Sequence, residues 1–296
     1  MSRTRNARRL ATPAFVGPSV LTLAVLAFVP TVFALWISLQ DRELGQPDAH
    51  FVWLRNFVAL AQDRRFLNAM RVSAVWEVLT VAFTMAVAVL LGVLMFDRCG
   101  TRMRRALTLA FIVPVLLPRV SAAFVWKFAF HPLFGAATWP WRALTGEPLD
   151  LLASPVTALL TVAFVDVWQW SLFFSVIVLK LLETLPPQPF EAARVDRAKP
   201  WEIYVWIAVP MLRGPLLSLA FVKMIESLRS FDLIYVMTRG GPGIATETLD
   251  MYAFSQGFIE SGRISYASSM AVLMMVVTSV AFTYLWNWSR RWQAVV

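Results

Sequence analysis

An all-α, polytopic membrane protein with six transmembrane helices is the fold class this sequence predicts, and three observations predict it. Of the 296 residues 58% are hydrophobic and only 15% are charged, with a mean hydropathy of +0.63, whereas a soluble domain carries about a quarter charged residues. The apolar residues fall into six long runs, each sufficient for a bilayer that needs about 20 residues per helix. Arginine and lysine concentrate in alternate connections between those runs, the pattern of cytoplasmic loops. That placement accounts for the formal net charge of +9 without a nucleic acid, for which no basic patch with interleaved aromatics is found. The single cysteine, Cys99, excludes an internal disulfide and a thiolate cluster. His50 and His131 both fall in loops, so no metal site is expected.

Residues 1–12 carry Arg3, Arg5, Arg8 and Arg9 with no acid and read as a cytoplasmic N-terminus. The apolar run that follows is too long for the core of a secretory signal, so 13–39 reads as a retained first helix with Pro18 at its entry and Pro30 at a kink. Residues 40–68, mixed in charge, form an extracytoplasmic loop. The core, 69–289, holds five further helices at about 69–96, 106–130, 156–182, 216–237 and 266–289, the second of these broken by Pro114 and Pro118. A cytoplasmic C-terminus, 290–296, begins with Arg290 and Arg291. With both termini, the turn bearing Arg98, Arg102, Arg104 and Arg105, and the loop bearing Arg194, Arg197, Lys199 and Arg213 on one side, that side is predicted to be cytoplasmic. The other side has Arg42, Arg55, Arg64 and Arg65 among acids, and Arg142.

The loop 183–212 is the one sizeable amphipathic insert on that basic side. Pro186, Pro187 and Pro189 end the preceding helix and favour a new start, since proline is tolerated in a helix's first turn. A short helix from Phe190 to Val195 then puts Glu191 at the positive end of its dipole, and Ala192 and Ala193 leave a bare face on which another protein can sit closely. Pro200 opens a second helix, with Trp201, Tyr204, Val205 and Ala208 at helical spacing. The product is a helix-turn-helix knob at the membrane surface.

Charges inside the spans are the next clue. Lys223, Glu226, Arg229 and Asp232 alternate in sign at intervals of three, so each can pair with the next along the helix. Unpaired, each would cost about 2.5 to 3.5 kcal/mol to insert. Glu226 and Arg229 are candidates for a polar translocation path, against a purely structural ladder. Glu77, Arg119, Lys127 and Asp166 stand alone in their spans and are expected to pair between helices or open onto water. Near Asp166, the run Trp168, Gln169, Trp170, Ser171 brings flat rings and amide donors together, which suits stacking on a sugar ring and bonding to its hydroxyls; packing between helices is the competing role.

Two motifs carry a family resemblance. Glu191-Ala192-Ala193, then Asp196, Ala198, Ile207 and Pro210, resembles the EAA loop of ABC importer permeases, with Arg197 where that loop has a turn glycine and Lys199 where it has a small capping residue. The stretch from Ser230 to Phe258 is similar to the F-D-x-I-Y-V-x-T-x-G-G-P-x-x-x-T-E-x-L-x-x-Y signature of carbohydrate-uptake permeases of the MalF/UgpA type. A weaker likeness lies at FVWLRNF, from Phe51 to Phe57, with Trp53 in place of glycine. The resemblance implies a type I ABC importer permease fold in the cell (inner or plasma) membrane. It implies a second homologous permease, two ATPase subunits, an extracytoplasmic binding protein, and a sugar or polyol substrate. Glu191, Ala192, Ala193, Asp196, Arg197, Ala198 and Pro210 would couple to the ATPase. No cofactor is implied in this chain; ATP and magnesium would sit on the partners, and Gly240-Gly241-Pro242-Gly243 is a turn without the lysine of a phosphate loop. Two other classes compete. An ion-coupled secondary transporter would need no such knob and would show an internal repeat. A membrane enzyme would need a clustered acid, base or metal constellation, which the scattered acids do not supply.

Overall fold

The computed structural model describes residues 2–46 and 48–293, and the side chains of 16–46 and 48–287. The side chains of Arg3, Arg5, Arg8, Arg9, Arg290 and Arg291, which enter the orientation argument, lie outside the described ones. The regular elements of the described chain are helices: α1 (Ser2–Ser38), α2 (Arg55–Gln62), α3 (Arg64–Arg98), α4 (Thr101–Leu116), α5 (Arg119–Ala129), α6 (Trp139–Thr145) and α7 (Pro155–Glu183) form the first part. Then come α8 (Gln188–Val195), α9 (Pro200–Ile203), a π turn, α10 (Val209–Met211), α11 (Arg213–Ser227), α12 (Phe231–Met237), α13 (Leu249–Phe254), a second π turn and α14 (Ile264–Gln293).

Four helices are long and apolar enough to cross a membrane unaided: Val16–Ser38 within α1, α3, α7 and Ile264–Asn287 within α14. Two bent pairs raise the number to six when each counts as one span, α4 with α5 at 99° and Pro200–Met211 with α11 at 75°. The first bend falls where the sequence predicts one. Pro118 has no N–H to continue the ladder and disfavours helix in Leu117, so Leu117 closes on the Pro114 carbonyl at 3.3 Å and α5 starts afresh. The expected helix at 216–237 is different: α11 stops at Ser227, and residues 228–230 separate it from α12. Fifteen residues rise only about 22 Å.

The chain divides into two compact units. One comprises 64–252 and 280–296. Its centre is the pairing of α3 with α7, where Gly92 lets the backbones close. A Cβ built there would lie 2.7 Å from Val178 Cγ1 and 3.0 Å from the Ser175 carbonyl. An apolar cluster of Trp76, Val162, Val165, Leu233, Ile234 and Met237 packs α3 and α7 against α12. A second, of Ala88, Phe174, Val178, Leu182, Ala208 and Leu212, with Phe190 and Tyr204 against it, ties the loop 183–212 to α3 and α7.

The other unit comprises 1–63 and 253–279. There the chain after α1 turns back as Gln40 bridges Phe51. The Asn56 amide donates to the Ser38 and Gln40 carbonyls at 2.8 and 2.7 Å, which gives the asparagine of FVWLRNF its task. Trp53 has φ +53°, the left-handed conformation that the family's glycine adopts freely and a larger residue adopts at a cost of roughly 1–2 kcal/mol. Tyr266 donates to Asp63 at 2.7 Å.

Candidate functional site

The ends of α11 and α12 leave carbonyl groups without helical partners, and long side chains from two other helices, α3 and α5, reach them. Trp76 of α3 donates its indole N–H to the Ser227 carbonyl at 3.1 Å. Arg119, the first residue of α5, donates to the Arg229 carbonyl at 2.6 Å and to Asp166 Oδ1 of α7 at 3.0 Å. Lys127, two turns along α5, donates to the Val236 carbonyl at 2.7 Å near the end of α12. These bonds supply donors for the carbonyl groups that a broken helix in an apolar medium has to satisfy.

Asp166 is the hub of this arrangement. Its side chain is fully enclosed, and Lys223, equally enclosed, donates to Oδ2 while Arg119 holds Oδ1. Both cations lie over the Trp170 ring, Lys223 Nζ at 5.7 Å and Arg119 Cζ at 5.9 Å from its centroid. One carboxylate between two cations leaves an excess positive charge, and Glu77 is a second carboxylate whose charge acts on Lys223. The Ser227 hydroxyl donates to Glu77 Oε2, while Glu77 Oε1 is buried without a hydrogen-bond partner. Unlike the ladder expected from the spacing of three, Lys223 turns across to α7. Only Glu226 and Arg229 approach each other within the series, at 3.9 Å, and Asp232 falls in the first turn of α12, where its charge suits the dipole.

The other residues proposed for a substrate path separate into two groups. Gln169 is buried and donates to the Pro114 and Leu117 carbonyls at 3.0 and 2.9 Å, capping the proline break. Ser171 and Trp168 line a cleft of about 370 Å³ with Leu79, Phe83, Phe164 and Leu172, and Trp168 stacks edge-on against Trp126. The side chains of Glu226 and Arg229 reach the surface, the latter 76% exposed.

In the loop 183–212, α8 ends in a complete glycine-type stop built without glycine. Ala198 N–H donates to the Ala193 carbonyl at 3.0 Å and Arg197 N–H to the Arg194 carbonyl at 3.1 Å, with Arg197 at φ +57°. The start of α9 is secured from the other direction: Lys199 cannot accept a capping bond, but its own N–H donates to Glu202 at 2.7 Å. The three-residue offset of Glu202 from Lys199 was the available sequence signal. Glu191 and Ala192 are exposed and Ala193 is buried, so only part of the expected bare face points outward. Asp196, Arg197 and Pro210 are accessible, and Ala198 is half-buried. Tyr204 donates to Asp97 at 3.0 Å, and Arg104 pairs with Glu183 at 3.4 Å while bonding the carbonyls that end α3. The knob is thereby fixed to the ends of α3 and α7.

A further pair went unseen in the sequence because its members are 182 residues apart. Arg65 grips Glu247 through two bonds of 2.7 and 2.8 Å and stacks over Tyr252. Glu247 and Tyr252 are the E and the last Y of the second motif, and the contact shows what they hold. Among the described residues no group of three or more potential ligands is placed to bind a metal.

Residues 85–294 match the model of the family described as binding-protein-dependent transport system inner membrane component. This chain belongs to that family. Such inner membrane components are transport subunits and not enzymes. The chain is 28% identical over 90% of its length to the trehalose/maltose transport system permease protein MalF of Thermococcus litoralis, covering 90% of that protein. It is 27% identical to the sn-glycerol-3-phosphate transport system permease protein UgpA of Agrobacterium fabrum, with 90% of each chain covered. The fold matches that of a bacterial ABC transporter involved in the import of alginate, with a TM-score of 0.84 at 18% identity over 98% of this chain and 99% of that one. The all-α permease fold and the resemblance read from the two motifs are thus both established.

Proposed function

We propose that this inner membrane component forms half of the translocation path of an ATP-driven importer for a sugar or polyol. It works with a second permease, two ATPase subunits and an extracytoplasmic binding protein. The named relatives carry trehalose or maltose and sn-glycerol-3-phosphate, which supports a polyhydroxylated substrate. Both termini and the loop 183–212 are cytoplasmic in this reading, as the distribution of arginine and lysine favours.

The observation that carries the proposal is the preformed knob. Glu191 and Ala192 are exposed on a short helix whose other side is packed onto the bundle, so a force applied there moves α3 and α7 instead of being lost in a slack loop. An ATPase pair that closes on ATP would favour one orientation of the knob, and the difference in its affinity for the two orientations sets the shift in the bundle's equilibrium. Trp168, Glu226 and Arg229 offer a ring and polar groups to a passing substrate, while Asp166, Gln169 and Ser171, all buried, hold the wall behind them.

Uptake into sealed vesicles containing the assembled transporter tests this. Glu191→Ala and Ala192→Trp are expected to leave the subunit inserted while removing ATP-dependent uptake. Normal uptake in the double variant, or transport by this chain alone on an ion gradient, would overturn the proposal. Ala193→Trp is the weaker probe, because Ala193 is already packed inward.

A further inference from the structure

Two clefts share Pro210 and Arg213 where the loop 183–212 gives way to α11. The larger, of about 690 Å³, runs between α3 and α11 and is lined by Met85, Val89, Val209, Leu216, Leu217 and Ala220, together with Arg213. The smaller, of about 500 Å³, is lined by Trp206, Met211, Gly214 and Pro215, again with Arg213. The guanidinium Nη2 of Arg213 is enclosed and has no hydrogen-bond partner. A charged donor held in apolar surroundings without an acceptor is costly, and what would relieve it is an anion attached to something apolar.

We propose that this groove binds an anionic phospholipid, its phosphate on Arg213 and an acyl chain along α3 and α11. Three features fit that occupant. The seven steps from Arg213 to Ala220 rise about 10 Å, within the roughly 15 Å of hydrocarbon that one leaflet provides. Trp201 and Trp206, on the segment just before, are 56% and 72% exposed, as the aromatic residues of a membrane boundary are. Arg194, Arg197 and Lys199 on the same loop add positive charge that concentrates anionic headgroups nearby. Of the residues expected to couple to the ATPase, only Pro210 lines this site, and Glu191 and Ala192 do not.

The assembled transporter, purified in detergent, is titrated with phosphatidylglycerol, phosphatidylcholine or inorganic phosphate while its thermal unfolding midpoint is followed. Phosphatidylglycerol is expected to raise the midpoint more than phosphatidylcholine, and inorganic phosphate not at all. Arg213→Gln removes one charge-assisted bond and should require roughly tenfold more phosphatidylglycerol for the same shift. Ala220→Trp, which fills the groove and leaves the guanidinium intact, should also weaken the response and serves if the first variant folds poorly. An unchanged response in either folded variant, an equal shift with phosphatidylcholine or with inorganic phosphate, or a quantitative crosslink from Leu217→Cys to the neighbouring permease would overturn the proposal.

Discussion

Asp166 is the one carboxylate that bonds both the enclosed Lys223 and the partly buried Arg119, so its loss is felt more than its modest size implies. Asp166→Asn would leave Lys223 and Arg119 uncompensated in an enclosed site, a change that costs about 3–5 kcal/mol when a buried pair is broken from one side. The expected result is a large fall in the thermal midpoint of the purified protein. Adding Lys223→Met to that variant should restore most of it, because the charge imbalance goes with it; no recovery would mean that Asp166 acts through something other than this pair. The sequence showed that these three residues were too costly to insert unpaired, but it could not show who pairs with whom. The choice depends on which faces of α5, α7 and α11 meet, and intervals along one helix are silent about that. Arg197 and Trp53 were easier: each replaces a glycine in a known pattern, and each occupies the left-handed conformation that the glycine would have taken.

The same division appears among the helices. Long apolar runs fix α1, α3, α7 and α14, and prolines mark both the α4–α5 bend and the start of α8 and α9. The break after Ser227 has no such mark, since residues 224–234 contain neither glycine nor proline and would continue as a helix in isolation. Partners from α3 and α5 compensate for the interruption, which makes it a tertiary feature. Close approach of α3 and α7 is likewise invisible in sequence except as Gly92. Gly92→Ala should push Val178 and the Ser175 carbonyl aside at a cost of about 1–3 kcal/mol, read as a lowered unfolding midpoint. Val178→Ala in the same chain should recover part of it, and additive losses would show that the two do not touch.

At the scale of the molecule, the fold class followed from composition and span length, and the family from two motifs, 191–210 and 230–258. The buried charge centre was legible only as a list of unusual residues. The loop 183–212 was legible in its two proline-started helices, whereas the burial of Ala193 and the bond from Lys199 to Glu202 emerged only from the structure. What joins these levels is the claim that the loop is a stiff lever on the cytoplasmic side, moved by an ATPase. The most direct measurement places a single cysteine on its exposed face, Ala192→Cys, in a chain whose own Cys99 has been replaced by serine. Crosslinking is then carried out in sealed membranes with the partner subunits present. The account predicts an adduct with the nucleotide-hydrolysing subunit whose yield changes when ATP is added. No adduct under any nucleotide condition, or labelling of residue 192 by an impermeant reagent from outside the cell, would contradict it.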